Sequence, residues 1–255
     1  MLLSLFLSCS APIEAPKDFE TLLSYIYART MDEDPAELMA GAENMLDFAD
    51  SNRADLIEGY TIAPLTDASI ETTGTSPRAT DEQYGVALMY NVPYGTRDVT
   101  LVNTIEDLED VYLDDYISYE REYQSDLDCF IDRSCPTVRF RSTIQSSLPL
   151  GAEMTSSYIN EIRWLELDSG LAAVQRSWLD GDAISTADWV NMEAQYYLGI
   201  TYQTQGGSDT VAASWAAIMV GDLPLPEDTA KNQALDALRK NGDDLTLYLD
   251  ENGGY

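Results

Sequence analysis

MTSSYINEIRWLELDSGLAAVQRSWL, residues 154–179, decides the fold class of this chain. It reads as two strands, 154–167 and 171–179, separated by the tight-turn triplet DSG. The β character starts just upstream with TVRFRSTIQ from Thr137. It resumes downstream in EAQYYLGITYQTQ (193–205) and DTVAASWAAIMV (209–220), which GGS joins as a second hairpin. These runs predict an antiparallel meander of four or five strands.

Helices flank the meander on both sides. In PKDFETLLSYIYART, Phe19, Leu22, Leu23 and Ile26 fall at helical spacing. A second helix begins at Asp34-Pro35, with Glu37 in the capping-box position, and carries a stripe of Leu38, Met39, Ala42, Met45 and Leu46. Residues 61–82, rich in Thr, Ser and Pro, read as a long loop. Then 84–94 and 98–102 read as strands, and 104–123 as a helix carrying Leu108, Val111, Tyr112 and Tyr116. After LPLPED, an amphipathic helix near 228–240 is expected to stop at Asn241-Gly242, with DLTLYLDE adding one short turn. The expected class is α+β: two N-terminal helices, an antiparallel β meander and a C-terminal amphipathic helix. The expected divisions are a signal segment at 1–9, a tether at 10–16, a helical segment at 17–60, the loop at 61–82 and an α+β domain at 83–255 that forms one unit with 17–60.

Composition removes whole classes of function. Forty-five carboxylates against 14 bases give a net charge of −31, which repels phosphate backbones and argues against nucleic-acid binding. Histidine is absent, which excludes a Ser-His-Asp triad, a Cys-His pair and any histidine-ligated metal. No Walker, GxGxxG or GxSxG motif occurs, and LDGDAIST and NGDD lack the calcium-loop pattern. An enzyme is not expected, nor is a cofactor or a bound metal.

The order strands, LP-containing link, amphipathic last helix resembles the START-like, helix-grip lipid-binding proteins over residues 84–250. That resemblance implies a curved antiparallel sheet wrapped around the last helix, with an apolar cavity between them. An ordinary sheet packed solid on helices fits the same order of elements.

Two groups of side chains on the strands are candidates for binding. Arg139, Arg141, Arg163 and Arg176 are concentrated there in a chain poor in bases. They would anchor a ligand carboxylate or phosphate, or else pair with local Asp and Glu. Register decides whether Arg176 meets Arg163 or Glu161. Trp164, Trp178, Tyr197 and Trp215 would line a cavity or fill the core.

The opening MLLSLFLSCSAP resembles the end of a bacterial lipoprotein signal peptide, with Ser8 as the small residue before Cys9, although Phe6 stands where leucine is usual. The resemblance implies lipidation of Cys9, a bacterial cell-envelope location and, from Ser10, the outer membrane. The alternative is an apolar start on a cytosolic chain. Cys129 and Cys135 then remain for each other. Five intervening residues suit neither a CxxC redox pair nor a zinc knuckle, which leaves a disulfide, as suits an oxidising compartment, or two free core thiols. The expected function is an envelope-anchored lipoprotein that binds a small apolar or amphipathic molecule without catalysis. A structural or protein-interaction lipoprotein with a solid core is the alternative, and the sequence identifies no protein partner.

Overall fold

Helix α1 (Phe19–Arg29) begins where the Asp18 carboxylate accepts from the Thr21 amide at 3.0 Å. It buries Phe19, Leu22, Leu23, Ile26 and Tyr27 along one stripe. Helix α2 (Ala36–Ser51) follows, and the Asp34 carboxylate accepts from the Ala36 amide at 3.0 Å. Glu37 does not close the expected capping box; it turns back to pair with Arg29. The structure, a computed structural model, describes residues 13–112, 116–148, 151–221, 223–224 and 226–255. Cys9, with the whole 1–9 segment, lies outside the described residues.

The stretch expected as a loop at 61–82 is ordered into the core instead. After α3 (Arg53–Glu58) come strand β1 (Tyr60–Ile62) and helix α4 (Asp67–Glu71). The Thr and Ser content that suggested a linker serves the backbone here: Thr66 caps α4 by accepting from the Ser69 amide at 3.2 Å. Ile62, Leu65 and Ile70 are buried, and the Trp215 indole donates to the Ala63 carbonyl at 2.9 Å.

The remaining elements are β2 (Tyr84–Val92), α5 (Thr96–Val102), β3 (Tyr116–Tyr123), α6 (Leu127–Ile131), β4 (Thr137–Ser147), β5 (Glu153–Leu167), β6 (Gly170–Leu179), β7 (Ile184–Ser185), β8 (Val190–Thr204), β9 (Gly207–Val220) and α7 (Glu227–Asn252). The sheet is antiparallel and runs β1-β2-β9-β8-β6-β5-β4-β3, with β7 paired to β5. It is larger than the four or five strands expected, because β1 and β2 extend the meander beyond β9 and β3 extends it beyond β4. In the hairpin that opened the reading, Leu167 faces Gly170 across a two-residue turn, and Gly170 takes the left-handed φ of 129° that the turn requires.

Three other local expectations fail for physical reasons. Residues 98–102 lie in α5, where the Asp98 carboxylate accepts from the Gly95 amide at 3.2 Å and caps the helix. Residues 104–123 hold a 3-10 turn at Leu108–Asp110 and then β3, because YISYEREY supplies the partner for the edge of β4. Helix α7 runs unbroken through Asn241-Gly242. Gly242 is there for close approach: a Cβ would lie 2.8 Å from the Tyr90 ring.

Alternation along the strands divides the core into layers. One sheet face packs against α1, α2 and α4 through Ala87, Trp178, Tyr196, Leu198 and Trp215. The opposite face is covered by α7 over β2, where Val86, Leu88, Ala212 and Leu238 meet. It is covered elsewhere by α5, the 3-10 turn and the α6 segment. Cys129 and Cys135 are joined by a disulfide that closes the α6 loop beside buried Phe130.

Candidate functional site

A cavity of about 410 Å³ opens on the face of the sheet that carries α7. Period-two alternation aims Ser142, Ile144 and Ser146 of β4 into it, together with Met154, Ser156, Tyr158 and Asn160 of β5. Gln175 and Ser177 of β6, Met192, Gln195 and Tyr197 of β8 and Ile218 of β9 complete the floor. Tyr90, Leu108, Tyr112, Tyr119 and Asn241 close the other sides. The space falls within the roughly 300–1,000 Å³ usual for small-molecule sites.

Two glycines shape it. Gly199 leaves room for the Tyr197 side chain to lie along its own strand, since a Cβ at 199 would stand 2.7 Å from the Tyr197 hydroxyl. Gly242 lets α7 settle onto Tyr90, so the helix backbone forms part of the roof near Asn241.

Among the described residues the wall is polar but bears no charge: the 22 that line it include no Asp, Glu, Lys or Arg, in a chain with 45 acids and 14 bases. Its hydrogen-bonding groups are partly engaged with each other. Asn160 Nδ2 donates to Ser142 Oγ at 2.9 Å, and the Tyr158 hydroxyl donates to Gln195 Oε1. Burial pushes the Tyr158 hydroxyl up to about 12 and raises those of Tyr112 and Tyr197 well above the usual phenol value. Every one of these hydroxyls is neutral at physiological pH. The wall therefore offers hydrogen bonds and apolar surface, with no nucleophile-base pair. Among the described residues, no group of three or more acid or thiol side chains converges to hold a metal.

Of the residues singled out from the sequence, Tyr197 lines this cavity. The other seven do not. Glu161 stands directly opposite Arg176 on the face covered by the N-terminal helices. Arg176 Nε donates to Glu161 Oε2 at 2.7 Å and Arg139 Nη1 to Glu161 Oε1 at 2.9 Å. Arg141 pairs with Asp180, and buried Arg163 donates to the backbone carbonyls of Thr30 and Asp32. Local pairing with Asp and Glu, the second reading of the arginines, accounts for Arg139, Arg141 and Arg176, while backbone carbonyls hold Arg163. Trp178 and Trp215 fill the layer under α1 and α2. Trp164 stacks on Phe130 at 5.1 Å between ring centres and donates to its carbonyl, beneath the disulfide loop.

Sequence reasoning missed Ser142, Asn160, Gln175, Ser177 and Gln195. A signal was present: on β6, Gln175 and Ser177 alternate with Val174, Arg176 and Trp178 of the arginine layer, and on β4, Ser142 and Ser146 lie on the face opposite Arg139 and Arg141. Small polar side chains at every second strand position fill a core poorly and mark a face left open.

A second space of similar volume lies between α5 and α6, lined by Leu101, Ile105, Tyr123, Leu127 and Tyr255. Tyr255 already occupies part of that rim through its amide, which donates to Asp98 Oδ1 at 2.7 Å.

No family model matches the chain, and the search of curated proteins yields no match. Several solved structures are similar to it over part of its length. A STAR-related lipid transfer protein from Xanthomonas axonopodis is 11% identical, with a TM-score of 0.42, covering 66% of this chain and 85% of that one. A START superfamily protein from Mycobacterium smegmatis is 10% identical, with a TM-score of 0.40, covering 66% and 97%. Human STARD10 is 12% identical, with a TM-score of 0.42, covering 66% of this chain and 65% of that one. The assignment of the cavity rests on its own geometry.

Proposed function

We propose that the chain binds a small apolar or amphipathic molecule in the cavity between the sheet and α7, without chemistry on it. One observation carries the reading: about 410 Å³ of space is left on that face. A protein that used its sheet only as scaffold would gain by filling this volume, since each unfilled methyl-sized void costs on the order of 1 kcal/mol. A structural lipoprotein with a solid core is the weaker reading for the same reason. Mass spectrometry of organic extracts from the purified protein tests it. A stoichiometric small molecule is expected; extracts that hold nothing beyond buffer blanks, together with no binding to added amphiphiles, would count against it.

We also propose that the protein is lipid-anchored to a bacterial envelope through Cys9. Ser8 before Cys9 supports this, and the Cys129–Cys135 disulfide suits an oxidising compartment. Metabolic acyl labelling of wild type and Cys9→Ala tests it, with label retained in the variant as the contrary result.

A further inference from the structure

Polarity is distributed unevenly within the cavity. Across the sheet, Asn160 on β5 faces Ser177 on β6, and Ser177 faces Tyr197 on β8. Ser142 on β4 joins the same row through its bond from Asn160. Moving along the strands, the next row is Tyr158 with Gln195. Beyond Ser156 the wall turns apolar, where Met192 faces Ile218 across β8 and β9 and Met154, Leu148 and Val190 pack with them. The apolar end borders the exposed side chain of Val220, which faces Val190 across β8 and β9. The polar end lies towards α5 and α7, near Asn103 and Asn241.

We infer that the ligand is an uncharged amphiphile, held with its hydrogen-bonding group against the Ser142–Asn160–Ser177–Tyr197 row and its apolar tail towards Met154, Met192 and Ile218. This rests on the reading above that the cavity takes a ligand. Three physical arguments select the class. An ionised headgroup would leave water for a wall that carries no counter-charge among its described residues, and a buried unpaired charge is strongly disfavoured. The chain's net charge of −31 adds a negative field that repels an anionic headgroup before entry. A wholly apolar ligand would leave unmatched the hydrogen-bonding capacity that the row does not spend on its own internal bonds, a desolvation cost that a hydroxyl, ester or amide on the ligand removes. Arg121 is taken up by the Tyr119 hydroxyl and Lys240 by Asp244, and the Glu161–Arg176–Arg139 cluster points to the other side of the sheet and is satisfied there. It cannot serve the cavity without turning β5 over.

Calorimetric titration of the full chain at neutral pH with decanol, decanoate and decylammonium tests this, each below its micelle concentration. Decanol is expected to bind at least tenfold more tightly than either ion. Binding of all three within threefold, or tighter binding of either ion, would overturn the uncharged class while leaving the cavity a binding site. Binding of none would overturn both that class and the proposed function. Orientation is read from two lysine variants. Ser177→Lys, at the polar row, is expected to strengthen decanoate binding at least tenfold, and Met154→Lys, at the apolar end, to leave it weak. The reverse pattern would overturn the orientation. The wild-type comparison stands whether or not either variant folds.

Discussion

Glu161 is held by two guanidinium groups, Arg176 at 2.7 Å and Arg139 at 2.9 Å, and both Glu161 and Arg176 are buried. Removing the carboxylate leaves Arg176 charged under α1 and α4. Glu161→Ala is therefore expected to lose about 3–5 kcal/mol of unfolding free energy in urea. A loss below about 1 kcal/mol would mean that water reaches Arg176. The pairing was one of two register options in the sequence, and chain register chose between them. The cavity residues were harder to see. Serines and amides on strands carry no motif, and arginines and tryptophans drew attention to the opposite face. The raised hydroxyls also give a pH signature. Tyr158 and Tyr84 are each pushed up to about 12 by burial, against about 10 in an unfolded chain. A raised folded-state value leaves stability intact below about pH 10, then removes it as pH climbs towards 12, by about 1.4 kcal/mol per pH unit for each such tyrosine. Denaturation followed with tyrosinate absorbance checks this. Stability falling already between pH 8 and 9 would contradict it.

Helix α7 shows where element-level reading fails. Asn-Gly is a common helix stop, yet α7 continues through it because Gly242 brings the helix against Tyr90. Helix propensity favours almost any replacement by up to about 1 kcal/mol. The contact opposes it, since the approach is to the Tyr90 ring and its Cβ, which cannot swing aside. Overpacking costs about 1–3 kcal/mol, so Gly242→Val is expected to be net destabilising and to weaken amphiphile binding by lifting the roof. Thermal unfolding and titration of this variant check both effects. The α6 disulfide stands apart from the cavity. Cys129→Ser with Cys135→Ser is expected to cost about 2 kcal/mol in denaturant while leaving ligand affinity within twofold. Local spacing revealed α1, α2, β4, β5, β6, β8 and β9. It failed at 98–102 and 104–123, where short apolar runs fit a helix or a strand equally and tertiary pairing decides.

At the level of the whole molecule, the order of helices, meander and last helix was legible, and so was the charge. What the order does not reveal is whether the sheet encloses space, because that depends on which alternate positions carry small side chains. The net charge of −31 makes the folded chain self-repelling. Raising ionic strength from 0.01 to 0.15 M shortens the screening length from about 30 to about 8 Å. The melting temperature is therefore expected to rise with salt over that range, and a fall would mean that surface ion pairs such as Arg78–Asp182 and Arg133–Glu166 outweigh the repulsion. The binding of an uncharged amphiphile should hardly respond to the same change. The claim on which the account turns is that the space between the sheet and α7 is the binding site. Ser156→Phe fills that space from its floor, and titration of wild type and variant with decanol measures the consequence directly. Saturable binding to the wild type is expected, with at least a tenfold loss in a variant of unchanged circular dichroism. Equal affinity in the two proteins would contradict it.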